Sequence, residues 1–154
     1  GEIEQRAATS SRELLDLVEL DAAAYGAVVA ARRAARADDF GIDADARATT
    51  LRGAIVEATR VPLRIAACAA DVLQLAERLA GIGNRYALSD IAVAGDLACA
   101  GLRGGLANVR ANLPALDTQD AIHAEIAPQL GELDQLAARG VGPVRAALLA
   151  RDNA

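Results

Sequence analysis

Among the acidic residues of this chain, Asp21 stands out because it occupies a position in the apolar stripe of a predicted helix. The stripe repeats every three or four residues and comprises Leu14, Val18, Asp21, Tyr25 and Val28. A carboxylate in such a position is paired in the core, exposed at the edge of the stripe, or part of the lining of a cleft. In a cleft, apolar surroundings would favour its protonated form and suit it to work as a general base.

A second polar group lies at the start of the helix predicted from about Ser89 to Leu113. Helix capping explains Ser89 and Asp90, because a serine oxygen accepts from the first turn and a carboxylate is favoured at the positive helix end. Alternatively, Asn84, Ser89 and Asp90 form a polar mouth between two helix ends. The same helix carries a stripe with polar groups at both ends, made of Asp90, Ala94, Leu97, Gly101, Asn108 and Asn112.

The remaining polar residues have structural explanations. Asp96, Arg103 and Arg110 repeat every seven residues, as expected of a solvated face, and Asp71 lies on a polar face. His123, beside Ile122 on the last predicted helix, is also expected to be structural. The sequence contains no nucleophile elbow, phosphate loop or dinucleotide fingerprint, so its residues predict no organic cofactor.

The two cysteines, Cys68 and Cys99, lie in apolar helical runs and are expected to be buried thiols in a reducing compartment. A single histidine and two separated cysteines cannot supply a zinc site. The longest apolar stretch, 91–109, is interrupted by Asp96 and Arg103, which predicts a buried helix and no membrane span. With no signal peptide to be read, we expect a cytoplasmic protein.

The composition predicts an all-α fold. Of the 154 residues, 53% are hydrophobic but only 2% are aromatic, and alanine, the best helix former, dominates. The net charge of −5, without a basic run or aromatic stacking platform, argues against nucleic acid as a partner. One domain spanning 1–154 accommodates the whole chain.

Five helical segments are predicted, and proline or glycine marks most of their ends. They cover about 10–37, 45–60, 62–80, 89–113 and 118 onward, with a break at 140–143. Pro62 is expected to end or kink the second segment, and the run 81–84 to stop the third. The segment 38–45 is predicted as a loop from which Asp43 or Asp45 caps the next helix.

The fourth predicted helix is more apolar than the surface of a monomer allows. It also contains Gly101, Gly104 and Gly105, which weaken a helix by about 1 kcal/mol each relative to alanine. Glycine at such positions indicates that another backbone approaches closely. We therefore predict that this helix forms a homodimer interface.

Four segments together resemble the family of formimidoyltetrahydrofolate cyclodeaminases and methenyltetrahydrofolate cyclohydrolases. The most specific is Gly83-Asn84, four residues, then Ser89-Asp90. The others are the residues 21–25, the proline-led helix from 58 to 77, and the pair Asn108 and Asn112. Family members also begin with a helix preceded by a Thr-Pro-Gly-Gly-Gly segment, which this sequence lacks. Since the sequence contains no methionine, we expect that residues precede Gly1 in the gene.

The resemblance implies an enzyme that acts on a one-carbon tetrahydrofolate derivative without metal or organic cofactor. Asp21 would be the general base, and Asp90 would stabilise the cationic amidinium carbon. Asn84 and Ser89 would orient water or the pterin, Arg85 would bind the glutamate carboxylates, and Tyr25 would contact the substrate.

Two activities and one non-catalytic role fit this resemblance. The absence of an attached formiminotransferase domain favours methenyltetrahydrofolate cyclohydrolase over formimidoyltetrahydrofolate cyclodeaminase. A helical interaction module that kept the fold and lost the N-terminal wall of the site is the third interpretation. Whether Asp21 and Asp90 face one cleft from the same subunit or from different subunits is left open by the sequence.

Overall fold

A computed structural model of the protein describes residues 1–36 and 44–152, and these residues form an all-helical bundle. Five α-helices follow each other in these described residues: α1 (Glu2–Arg36), α2 (Ala44–Ile82), α3 (Leu88–Asn112), α4 (Ala121–Arg139) and α5 (Gly142–Asp152). Short 3₁₀ turns, Arg85–Ala87 and Leu113–Ala115, precede and follow α3. The predicted fold class is confirmed. The number of helices also agrees, although two predicted segments merge into α2 and the last one divides into α4 and α5.

Most of the predicted loop, including the possible cap Asp43, lies outside the described residues. Asp45, the other predicted cap, lies in the first turn of α2 instead of preceding it.

Helix α2 is the centre of the bundle, because it packs against all four other helices. Its apolar residues therefore occur on several sides of the helix, and they meet leucines and valines from α3, α4 and α5 in a single core. The most deeply buried large side chains are Leu17, Leu102, Leu106, Val109, Ile122 and Val144. Among the described residues, seven further buried positions are alanine, and there close helix approach replaces bulky side chains in filling the space.

The prediction that Pro62 separates two helices is wrong, since α2 runs through it without interruption. A proline inside a helix has no N–H to give to the carbonyl four residues earlier, which here belongs to Ala58. That carbonyl accepts a hydrogen bond from the side-chain amide of Asn112 instead, at 2.6 Å. A partner on another helix thus satisfies the group that proline leaves unpaired.

Two glycines of α3, Gly101 and Gly105, allow this helix to pack closely against α2 of the same chain. A Cβ atom at Gly105 would lie 2.7 Å from the carbonyl oxygen of Pro62 and 2.9 Å from the Cβ of Ala66, so only glycine fits there. Gly101 also faces α2, near Ala69, whereas a Cβ at Gly104 would meet open space. The close backbone approach predicted from these residues is therefore made by α2. Homodimer formation, inferred from them, stays a prediction.

The helix ends agree with the sequence signals at most positions. Helix α2 ends at Ile82 within the predicted stop, and α4 ends before Gly140, whose φ of 55° lies in the left-handed region. Ser89 does not cap α3, which begins at Leu88 with Ala87 at the cap position. Asn84 instead caps the preceding 3₁₀ turn, because its side chain accepts from the backbone N–H of Tyr86 at 3.0 Å.

The stripe that α1 buries differs from the predicted one. Leu17 and Val28 are buried, but Val18 and Tyr25, two members of the predicted stripe, are 61% and 70% exposed. Helix α1 is rich in apolar residues on more than one side, so spacing alone did not identify the side that faces α2. Ion pairs along its edge, such as Arg64 with Glu13, join it to α2.

Helices α1 and α3 both pack on α2 but have no extensive contact with each other. A groove therefore opens between them, with α2 as its floor. Helices α4 and α5 pack on α2 and α3. Within residues 1–36 and 44–152, none of the helices is long and apolar enough to cross a membrane.

Candidate functional site

The groove between α1 and α3 holds the polar residues best placed for chemistry. It encloses about 240 Å³ and is called the α1–α3 groove below. Helix α1 supplies one wall, α2 the floor and the end of α3 the other wall. Its lining residues are Asp21, Tyr25, Val28, Arg32, Ala58, Pro62, Asn108 and Asn112.

Asp21 is the carboxylate of the α1–α3 groove. Its side chain is half-buried and makes no hydrogen bond or ion pair with the described residues. The apolar surroundings expected from the sequence are partly present, because Val28 and Pro62 line the same groove. An unengaged carboxylate at the edge of an apolar wall is free to accept a proton from a ligand or a water molecule.

Tyr25 lies one helical turn after Asp21 and lines the same groove. Because 70% of its surface is exposed, the ring is available for contact with a flat ligand. Asp21 and Tyr25, both assigned to the site from the sequence, are therefore brought together by the fold.

Two amides face these residues from the end of α3. Asn108 is exposed, while Asn112 is half-buried and held by its hydrogen bond to Ala58. The sequence placed both residues on one stripe, and their four-residue spacing puts them one turn apart on the same helix face. Together they offer donor and acceptor atoms opposite the carboxylate of Asp21.

The sequence did not point to Arg32 as a site residue, yet Arg32 also lines the α1–α3 groove. Its backbone lies three helical turns after that of Asp21, about 16 Å along the axis at 1.5 Å per residue. The described residues provide no ion-pair partner for it. An arginine near the end of a helix is usually explained by the helix dipole, so its type and spacing gave no signal of a site.

The remaining predicted site residues lie elsewhere, at the turn between α2 and α3. Asn84, Arg85, Ser89 and Asp90 are all exposed there. The guanidinium of Arg85 lies 5.9 Å from the ring centre of Tyr86, a cation–π arrangement at the surface. These residues are near one another, as the predicted polar mouth requires, but they are not part of the α1–α3 groove.

Asp21 and Asp90 consequently do not meet within one chain. Asp90 is in the first turn of α3, whereas Asn108, which lines the groove with Asp21, is in its last turns. The 18 residues between them correspond to about 27 Å along the helix. Any site that combines the two carboxylates must therefore draw them from different subunits.

The polar groups next to the other cavities hold the fold together. A 490 Å³ surface cavity between α2 and α4 is lined by Arg52, Arg60, Asp120 and Glu125 among others. The hydrogen bond from Arg52, together with that from the backbone of Ile122, lowers the pKa of Asp120. Arg60 likewise lowers the pKa of Glu125. Carboxylates paired in this way are anchors between helices.

The cysteines are buried free thiols, as predicted. Burial raises the pKa of Cys68, and its Sγ–H donates to the backbone oxygen of Ser10 at 3.3 Å. Across the described part of the chain, no group of histidine, cysteine and carboxylate side chains is arranged to hold a metal ion.

These features define an all-helical protein with an open groove, lined by a carboxylate, an aromatic ring, two amides and a guanidinium. Comparison with known proteins gives the family. The family model described as "Formiminotransferase-cyclodeaminase" matches residues 1–130. The match includes every residue of the α1–α3 groove and of the turn between α2 and α3.

Two curated relatives support this match. The chain is 32% identical over 126 residues to "Formimidoyltransferase-cyclodeaminase" of Sus scrofa, covering 82% of this chain and 23% of that protein. It is 36% identical over 127 residues to "Methenyltetrahydrofolate cyclohydrolase" of Methylorubrum extorquens, covering 82% of this chain and 58% of that protein. The chain thus spans less than two thirds of either relative. It belongs to the formiminotransferase-cyclodeaminase family.

Proposed function

We propose that the protein is a methenyltetrahydrofolate cyclohydrolase, which opens the methenyl bridge of its substrate by hydrolysis to give formyltetrahydrofolate. The observation that carries the proposal is the unengaged carboxylate of Asp21 in the α1–α3 groove, opposite the amides of Asn108 and Asn112. Both relatives match 82% of this chain, but the chain covers more of the length of the cyclohydrolase relative and is more identical to it, which supports this activity over the cyclodeaminase activity.

In the proposed reaction, Asp21 takes a proton from the attacking water. The oxygen of that water bonds to the cationic methenyl carbon, and a tetrahedral centre forms. One carbon–nitrogen bond then breaks, and its electron pair goes to the folate nitrogen, which takes the proton held by Asp21. The hydroxyl group on the carbon releases its proton to solvent and becomes the carbonyl of the formyl group. A carboxylate suits both parts of this task, because its negative charge also stabilises the cationic substrate before attack.

The length of the α1–α3 groove suggests how the folate is oriented. The amidinium carbon would lie at Asp21, with the pterin against the amides of α3 and the p-aminobenzoyl ring, which follows the bridge, against Tyr25. The glutamate carboxylates, at the far end of the molecule, would reach Arg32, the cation of this groove. Arg85, assigned this role from the sequence, lies at the other end of α3 and stays a candidate for a site shared between subunits.

A homodimer would bring Asp90 to the groove. Val93 and Leu97 are 57% and 68% exposed on α3, and Gly104 borders open space. In a two-fold, antiparallel pairing of α3 centred between Ala100 and Gly101, Leu97 faces Gly104 of the partner subunit, so a large side chain meets a gap.

The same register would bring Asp90 of the partner subunit close to the groove that contains Asp21. Val93 then faces Asn108 of the partner subunit, and Asp90 reaches the end of the partner's α3. There its charge would stabilise the substrate cation, while Asn84 and Ser89 would orient water or the pterin. A cationic substrate thus favours the dimer, because the dimer adds a second carboxylate, that of Asp90, to the groove.

Purified protein tests the proposed function directly. Methenyltetrahydrofolate is added and its absorbance followed, and in a separate reaction formiminotetrahydrofolate is added and ammonia release measured. We expect loss of methenyl absorbance well above the buffer rate and no ammonia release. Ammonia release would instead identify a cyclodeaminase. Absence of both reactions, with the protein folded, would favour a non-catalytic helical module.

A further inference from the structure

The hydrogen bond between Asn112 and Ala58 gives a side chain of the α1–α3 groove a fixed orientation. Pro62 leaves the Ala58 carbonyl without its helical donor, and the Nδ2 atom of Asn112 donates to that carbonyl at 2.6 Å. Only the NH₂ end of an amide can face a carbonyl oxygen, so the Oδ1 end of Asn112 must point elsewhere. The described residues donate no hydrogen bond to it.

We propose that Pro62 and Ala58 act as a lock that positions Asn112, and that Asn112 Oδ1 accepts a hydrogen bond from the amino group on the pyrimidine edge of the pterin. The second part of this inference rests on the proposed folate substrate. The first part concerns the protein alone.

Three observations support the proposal that Pro62 and Ala58 fix the orientation of the Asn112 side chain. Asn112 and Ala58 both line the groove, so their bond lies at its wall rather than in a remote part of the core. Pro62 is buried, and its carbonyl oxygen would lie 2.7 Å from a Cβ at Gly105. The two helices are therefore held together on both sides of the proline, and the Asn112 amide has little freedom to rotate.

The fixed orientation of the Asn112 amide makes the groove selective for a ligand that donates a hydrogen bond to Oδ1. Rotation of a free asparagine would present either oxygen or NH₂ to a ligand, and would accept both kinds of partner. With one N–H of Asn112 bound to the Ala58 carbonyl, the amide is held in one orientation, and a group that lies against Oδ1 must be a donor. A ligand that carries an amino group at this position gains a hydrogen bond, whereas one with a dimethylated amine leaves the oxygen unpaired.

A double-mutant cycle tests the lock without any substrate. Asn112→Ala in the wild-type background leaves the Ala58 carbonyl unpaired and should lower Tm by roughly 2–6 °C. In a Pro62→Ala background the helix supplies its own N–H to that carbonyl, so the same substitution should cost less than about half as much. Asn108→Ala, on the same wall but without the bond, should cost the same in both backgrounds. Equal costs of Asn112→Ala in the two backgrounds would overturn the lock.

If Pro62→Ala does not fold, Asn112→Asp and Asn112→Leu test the hydrogen bond between Asn112 and Ala58 with Pro62 unchanged. The carboxylate of Asn112→Asp nearly matches the amide in shape but cannot donate, and it places an acceptor against the Ala58 oxygen. We expect it to lower Tm at least as much as the apolar Asn112→Leu. An Asn112→Asp protein as stable as the wild type would contradict the lock.

Binding measurements test the role in recognition. Calorimetry compares folic acid with its analogue in which the 2-amino group is dimethylated. The wild-type protein should bind folic acid about five- to tenfold more tightly, and Asn112→Ala should bind the two within about twofold. An unchanged preference in Asn112→Ala would refute the recognition role. If the wild type binds neither compound, the recognition role fails, while the methenyl absorbance assay decides the proposed function separately and the double-mutant cycle still decides the lock.

Discussion

Arg52 of α2 holds the carboxylate of Asp120 at both oxygens, with Nε 2.5 Å from Oδ2 and Nη2 2.8 Å from Oδ1. Only 3% of the Asp120 side chain is exposed, whereas Arg52 is 56% exposed. The same carboxylate caps α4, because it also accepts from the backbone N–H of Ile122. One residue therefore fixes both the start of α4 and its position against α2.

This arrangement predicts a loss of stability in acid. The pKa of Asp120 is lower in the folded protein than in the unfolded chain, where it is near its ordinary value of about 3.9. The stabilisation is therefore complete above about pH 5 and is lost as the pH falls through the folded pKa. Thermal unfolding between pH 7 and pH 2 should show the Tm decreasing below about pH 4.

Two substitutions separate the charge of Asp120 from its capping role. Asp120→Asn keeps an oxygen for Ile122 but loses the ion pair, whereas Asp120→Ala loses both. At pH 7 we expect Asp120→Ala to have the lower Tm, by roughly 2–4 °C relative to Asp120→Asn. The difference between wild type and Asp120→Asn should shrink toward low pH. A pH-independent difference would show that the charge does not act as proposed.

Gly105 should tolerate no side chain, unlike a glycine that borders open space. Gly105→Ala places a Cβ 2.7 Å from the carbonyl oxygen of Pro62, a backbone atom that cannot move away without shifting α2. We expect a destabilisation of about 1–3 kcal/mol in denaturant unfolding. Gly131→Ala, which meets open space within α4, is the matched control and should be neutral or stabilising by up to about 1 kcal/mol. Equal effects would contradict the packing described for α3.

Asp21→Asn should abolish most turnover of methenyltetrahydrofolate while leaving the fold intact. The amide keeps the shape of the carboxylate but cannot take a proton from water, so we expect kcat to fall about 100-fold or more. The measurement is the methenyl absorbance assay, with circular dichroism as a check of folding. Wild-type turnover by Asp21→Asn would end the catalytic assignment of this residue.

Mixed dimers test whether Asp21 and Asp90 act across subunits. Chains carrying Asp21→Asn and chains carrying Asp90→Asn are each expected to be inactive alone. When they are expressed together, half of the dimers are mixed and contain one intact site, so about one quarter of wild-type activity should return. No recovery in verified mixed dimers would exclude a site built from both subunits.

Arg32 and Arg85 give different predictions for the folate tail. If Arg32 binds the glutamate carboxylates, Arg32→Gln should raise KM for the substrate about tenfold with kcat nearly unchanged. The same variant should have little effect on methenyltetrahydropteroate, which has no glutamate. Arg85→Gln is the comparison, and a larger KM effect there would move the tail to the turn between α2 and α3.

The helix ends show which local features the sequence could predict. Gly140, with its φ of 55°, and the run 81–84 mark the ends of α4 and α2, because the signals that stop a helix act within a few residues. Pro62 shows the limit of such signals. Whether a proline ends a helix depends on a partner for the carbonyl it leaves unpaired, and that partner, Asn112, comes from a helix 50 residues later.

The residues of the candidate site show the same division between what local sequence predicts and what depends on partners distant in sequence. The sequence by itself determined an all-helical chain, the family it resembles, and Asp21 and Tyr25 as neighbours on one helix, because helical periodicity and residue type are local properties. Only the tertiary structure decided that Asn108, Asn112 and Arg32 join Asp21 while Asp90 does not. That result depends on how α1 and α3 pack against α2, which for α3 includes the close contact of Gly105 with Pro62, and this packing cannot be read from spacing along the chain.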